Sequence, residues 1–248
     1  VALVVTNAGA DFSAYPGLIS AYGGGGGCAG TVYLEKQSDV SGKGELIIDN
    51  YGGCIRYGTA NTDLSGVDAV TYEFSSIILT NGGILNIGSN DILIATNIAG
   101  AGCISNGIWI SGGTLLASPE FIYSNIFIGI SATGSTFSPS TSLTIGTNAE
   151  FRVDQPHVMT NDVIIAAGGN LIHTANSTSE IYKIKMAIIG SLTVEAGGRI
   201  DVTAKGFARR YGPGYSGSEA GGSYGGYADP RTYPTICYGS IIAPTNLG

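Results

Sequence analysis

Basic residues are scarce in this chain: 11 Lys and Arg stand among 248 residues, against 18 Asp and Glu, for a formal net charge of −7. They form no stripe along any segment, which excludes the counterion-releasing surface that a nucleic acid partner requires. Charged residues of both signs make up only 12% of the chain, and the Glu, Lys, Arg and Leu richness of a helical protein is missing. Long apolar runs are missing too. Gly, Asn, Ser or Thr interrupts every one before the roughly 18 residues of a spanning helix, so we expect no membrane insertion. The opening run, Val1-Ala-Leu-Val-Val-Thr6, has no signal-peptide features, and the chain stops at Pro244-Thr-Asn-Leu-Gly248. We expect both ends to be cuts in something longer or repeating.

Cysteine is limited to Cys28, Cys54, Cys103 and Cys237, and no two of them have the spacing of paired zinc ligands. Cys28 and Cys54 lie about one solenoid coil apart and could stack and bridge, which would place the protein outside the cytoplasm. Buried free thiols are the alternative.

What the chain does have is glycine, 40 residues of it, and 44% hydrophobic residues, enough to bury a core and to argue against disorder. It also repeats itself. An apolar pair, a turn with Gly or Asn, and a short alternating strand recur at residues 77–87, 108–116, 143–153, 163–172 and 192–202. Leu192, Val194, Ile200 and Val202 show the period of two that marks half-buried strands. A coil with one apolar side buries it only against a neighbouring coil, so recurrence of one motif favours a solenoid over a β-sandwich. We therefore expect an all-β fold, a right-handed parallel β-helix forming one domain over residues 1–248. A Gly/Tyr-rich loop segment, residues 206–239, interrupts the strands near the C-terminal end. Its Tyr211, Tyr215, Tyr224 and Tyr227 are candidates for binding or subunit contact.

The segment Leu192-Thr-Val-Glu-Ala-Gly-Gly-Arg-Ile-Asp-Val-Thr-Ala-Lys-Gly206 resembles a recurring element of very large bacterial surface proteins, adhesin-like and built of right-handed β-helices. Gly212-Pro-Gly214, Gly222-Ser-Tyr-Gly-Gly226 and Tyr238-Gly-Ser-Ile-Ile-Ala-Pro-Thr-Asn-Leu-Gly248 continue the likeness. Leu18-Ile-Ser-Ala-Tyr-Gly-Gly, Ala29-Gly-Thr-Val-Tyr-Leu-Glu35 and Gly44-Glu-Leu-Ile-Ile-Asp-Asn50 carry it at the start. The two ends of the chain carry the resemblance, and the middle shares only the general coil pattern. It implies an extracellular or cell-surface rod for adhesion, sheath or filament, and no catalytic residues. From the unpaired backbone of exposed coil edges we expect end-to-end self-association, with surface glycans as candidate further partners.

Residues that could support a different reading are few. A polysaccharide hydrolase needs two carboxylates astride the sugar; Glu150 with Asp154, Asp201 with Glu195, and Asp229 are candidates, each also readable as a solvated surface group. His157 follows Pro156 in a loop and could act as a base, whereas His173 alternates with Leu171 and reads as a surface or flank residue. Lys183, Lys185, Arg209 and Arg210 could neutralise an acidic sugar. Trp109, between two isoleucines, reads as core or flank. Gly23 to Gly27 lacks the Gly-Lys-Ser/Thr and the helix of a phosphate loop, and no calcium nonapeptide recurs, though Asp49, Asp63 or Asp68 could bind an isolated ion. Asn176-Ser-Thr178 matches a glycosylation acceptor. We expect no catalytic residue, metal or cofactor, and hold a lyase, hydrolase or carbohydrate-binding module as the alternative.

Overall fold

Alternation in the sequence becomes burial in the short strands. Ser142–Ile145 and Glu150–Val153 bury Leu143, Ile145, Phe151 and Val153 and turn their other residues outward. The computed structural model describes residues 1–22, 29–50, 61–64, 69–101, 105–117, 120–215, 223–224 and 237–242. Among them every regular element is a strand and none is a helix.

Most ladders are parallel and join a strand to its counterpart one coil further on. Phe127–Ile130 pairs with Gly107–Ile110 on one side and with Glu150–Val153 on the other. Partners in regular coils are separated by nearly constant lengths of chain, as with Leu143 and Val163 or Phe127 and Glu150. The outcome is the expected parallel β-solenoid, with about five turns.

Three faces wrap one elongated core. The third face is the longest uninterrupted parallel sheet, seven strands from Thr62–Asp63 to Arg199–Ile200. The second contains Glu120–Tyr123, Ser142–Ile145, Asp162–Ile165 and Leu192–Val194. On the first, Thr136–Pro139 is followed by His157–Met159 and Met186–Ile188. Inward residues stack in columns, such as Ile108, Ile128, Phe151 and Leu171, all at most 2% exposed. Burying each such side chain contributes about 1.5–3 kcal/mol before chain entropy is counted.

Four of the five recurring motifs, all except residues 108–116, turn the same corner into the third face. Gly168 and Gly169 show why two glycines suit it. Gly168 holds φ at +79°, and a Cβ on Gly169 would lie 2.2 Å from the Ile145 carbonyl oxygen of the preceding coil. Asn148 occupies the left-handed position one coil earlier, at φ 53°.

Three departures from a uniform solenoid were not legible in the repeat. Thr31–Glu35 runs antiparallel to Glu45–Asp49, and Ala2–Val4 adds to it in parallel. The link 36–44 is too short for the crossover that a parallel pair needs, so a hairpin closes this side of the stack. A second departure is the longer coil that leads from Val163 to its partner Leu192, extended by the segment 174–185. The third is the exposure of the strands Leu192–Val194 and Arg199–Ile200: Leu192, Val194 and Ile200 are 43%, 45% and 50% exposed, although their partners Val163, Ile165 and Leu171 are buried. Of the Gly/Tyr-rich region, Tyr211 is exposed, Tyr215 half-buried, and Ser223–Tyr224 pairs in parallel with Cys237–Tyr238.

Candidate functional site

Outward positions on the third face bring together the side chains with most binding chemistry. Trp109 stands opposite Gly129 and Phe127 opposite Gly107, so each ring lies across a residue without a side chain. A Cβ on Gly129 would come within 2.2 Å of the Trp109 ring, and one on Gly107 within 2.3 Å of Phe127. The two rings sit 5.0 Å apart and tilted by 57°. Phe127 is buried beneath its neighbours, whereas Trp109 remains partly exposed.

One coil further, Arg152 lies over Phe127, 4.0 Å from the ring centroid, and 5.8 Å from that of Trp109. Its guanidinium is held by Glu150, with Nε donating at 2.8 Å and the second nitrogen at 2.6 Å to the same carboxylate oxygen. Both side chains keep more than a quarter of their surface in solvent. They present fixed donors and acceptors beside an aromatic platform.

The same pair forms one wall of a cavity of about 190 Å³, bounded also by Ile172, His173, Thr174, Ala175 and Lys205. Its far wall is held from behind. Asp154, 6% exposed, accepts hydrogen bonds from the Thr174 amide at 2.6 Å and the Thr174 hydroxyl at 2.7 Å. Asn176 binds four backbone groups: its amide nitrogen donates to the carbonyls of Tyr182 and Lys205, and its oxygen accepts from the amides of Ile181 and Tyr182. Among the described residues Lys205 makes no ion pair, although Asp201 feels its charge.

A polar ladder borders the face. Asn86 donates to Asp63 at 2.7 Å and accepts from Ser111 at 2.6 Å, and Ser111 meets Ser131 at 2.7 Å.

No protein-family model, curated protein or solved structure matches this chain. Any function must therefore be argued from the geometry.

Several residues weighed in the sequence have a settled place. Glu150 and Asp154 serve different partners, Arg152 and Thr174. Hydrogen bonds from Thr203 lower the Asp201 pKa, and Glu195 lies across the turn from it. Lys183 pairs with Glu180 at 2.5 Å, and Arg209 and Arg210 are exposed. His173 is buried at 1% rather than on a flank, with its Nδ1 2.7 Å from the Thr174 carbonyl. His157 opens a strand and is 7% exposed; burial lowers its pKa, a hydrogen bond with the Phe137 backbone opposing. Trp109 is half-buried and its ring lies against Gly129, on the outer side of the sheet rather than in the core. Asn176 spends its amide on the backbone, so the glycosylation reading loses its acceptor nitrogen.

Asp49 and Asp63 accept from Asn81 and Asn86, and the described residues contain no group of three or more metal-ligating acidic, His or Cys side chains. Among these residues no helix is long and apolar enough to cross a membrane. Cys237 is a free, half-buried thiol. Cys28, Cys54, Cys103, Asp68, Tyr227, Asp229 and the Gly23 to Gly27 run lie outside the described residues, and Tyr224 is described only in its backbone.

The importance of Arg152, Thr174 and Lys205 escaped the sequence reading. A signal existed in the outward positions, where Gly107-x-Trp109 meets Phe127-x-Gly129 one coil later, large against small.

Proposed function

We propose that this chain is a structural and adhesive segment of an extracellular surface protein, a stiff, non-catalytic solenoid that extends end to end. The observation that carries the reading is the exposed pair of strands Leu192–Val194 and Arg199–Ile200, whose Leu192, Val194 and Ile200 prolong the core columns into solvent. Strand edges and apolar stacks of this kind favour another layer. Ala2–Val4 is likewise an edge strand of its sheet, with Leu3 and Val4 exposed. Head-to-tail contacts that do not close produce filaments. The right-handed sense of the coil follows the strong chirality of parallel crossovers. The likeness of residues 18–50 and 192–248 to bacterial adhesin-like proteins supports a cell-surface setting.

Sedimentation velocity and electron microscopy over a concentration series test this reading. Wild-type protein should form elongated species that lengthen with concentration, and Leu192→Asp should shift them to monomer. Wild-type monomers throughout the series would overturn it.

A further inference from the structure

We propose that the outer side of the third face, from Trp109 to the Lys205 cavity, binds an extended polysaccharide that carries uronic acid carboxylates. The proposal goes beyond the structural reading and does not depend on end-to-end assembly.

Three features define the occupant. Trp109 gives a partly exposed aromatic surface, flat against Gly129, and an indole suits the apolar face of a pyranose ring. Arg152 and Glu150, locked together at 2.6 Å, offer a planar donor and a planar acceptor to ring hydroxyls. The cavity beyond them ends at Lys205, whose ammonium has no ion-pair partner among the described residues. A ligand carboxylate meets that need. It would bind a cationic spot on a chain whose net charge is −7, so the preference is local rather than a general attraction to anions.

Spacing supports an extended sugar chain over a small ligand. Adjacent strands lie about 4.8 Å apart, close to the length of one pyranose unit, so Trp109 and the cavity two to three strands away are spanned by about three rings. The wall of the cavity is pre-formed, since Asp154 fixes Thr174 and Asn176 ties the Lys205 backbone to the loop at Tyr182. Little ordering is left for a ligand to cause.

Trp109 is the sole tryptophan, so its emission reports directly on this face. Titration with oligogalacturonates should change that emission saturably, and added salt should weaken the effect. Neutral dextran should bind at least about tenfold more weakly, which corresponds to about 1.4 kcal/mol. Lys205→Gln should lose affinity to a similar degree by fluorescence, and Trp109→Ala by calorimetry. If Trp109→Ala lowers the melting temperature, Lys205→Gln still carries the test, since the Lys205 amine makes no ion pair among the described residues. Absence of both emission change and binding heat would overturn the site. Equal affinity for dextran would overturn the acidic class, and undiminished binding by Lys205→Gln would overturn the role of the cavity. Binding retained by the Leu192→Asp variant would show that the site stands even where the assembly reading fails.

Discussion

The stability of this solenoid should fall on mild acidification, and His157 is the residue responsible. Its imidazole is 7% exposed, packs edge-on to Phe151 at 6.2 Å, and leaves Nε2 without a partner. Burial holds its pKa below the ordinary value of about 6.5, with the Phe137 backbone hydrogen bond opposing. The folded chain thus keeps the ring neutral at pH values where the unfolded chain already binds a proton. Stability is therefore level above about pH 6.5 and declines as pH drops below it, until the folded pKa is reached and the slope vanishes.

One proton sets the ceiling on that slope, about 1.4 kcal/mol per pH unit. With a urea dependence of about 3 kcal/mol/M, the denaturation midpoint moves by up to about 0.5 M per unit. The chain has two histidines, so proton NMR resolves both rings and His157→Gln assigns them. Urea midpoints for wild type and His157→Gln, measured between about pH 8 and pH 5, should converge toward the acid side relative to their separation at neutral pH. Titration of His157 at or above about 6.5, or parallel loss of stability in both proteins, would refute the reasoning.

Phe137→Ala, which empties a site between Phe121 at 5.9 Å and Phe151 at 5.6 Å, should cost about 3–5 kcal/mol in urea denaturation. Gly168→Ala should cost about 1–2 kcal/mol because φ there is positive. Gly169→Ala should cost more, since its Cβ meets the backbone of the coil before it; equal melting temperatures would contradict this account of the corner. Asp154→Asn weakens the acceptor that holds Thr174 and should cost about 1–3 kcal/mol. Faster hydrogen exchange at the Thr174 amide is the local signature to measure.

The amino-acid sequence by itself determined the class of this fold. Alternating Leu143, Ile145, Phe151 and Val153 can bury one side only, and Gly168-Gly169 and Gly197-Gly198 suit a chain that turns sharply against its neighbour. Those constraints act within a coil, where a period of two and a local dihedral preference are visible. Tertiary structure decided which residues meet between coils. Trp109 and Gly129 are a full coil apart along the chain, Glu150 and Lys205 further still, and only the register of the stack brings them to one face. The antiparallel start, the inserted segment 174–185 and the exposed strand at Leu192 likewise depend on how the strands are paired. Local patterning specifies the side a residue faces, but the pairing of strands sets its neighbours, and coils of different length, Leu143 to Val163 and Val163 to Leu192, still stack in one register.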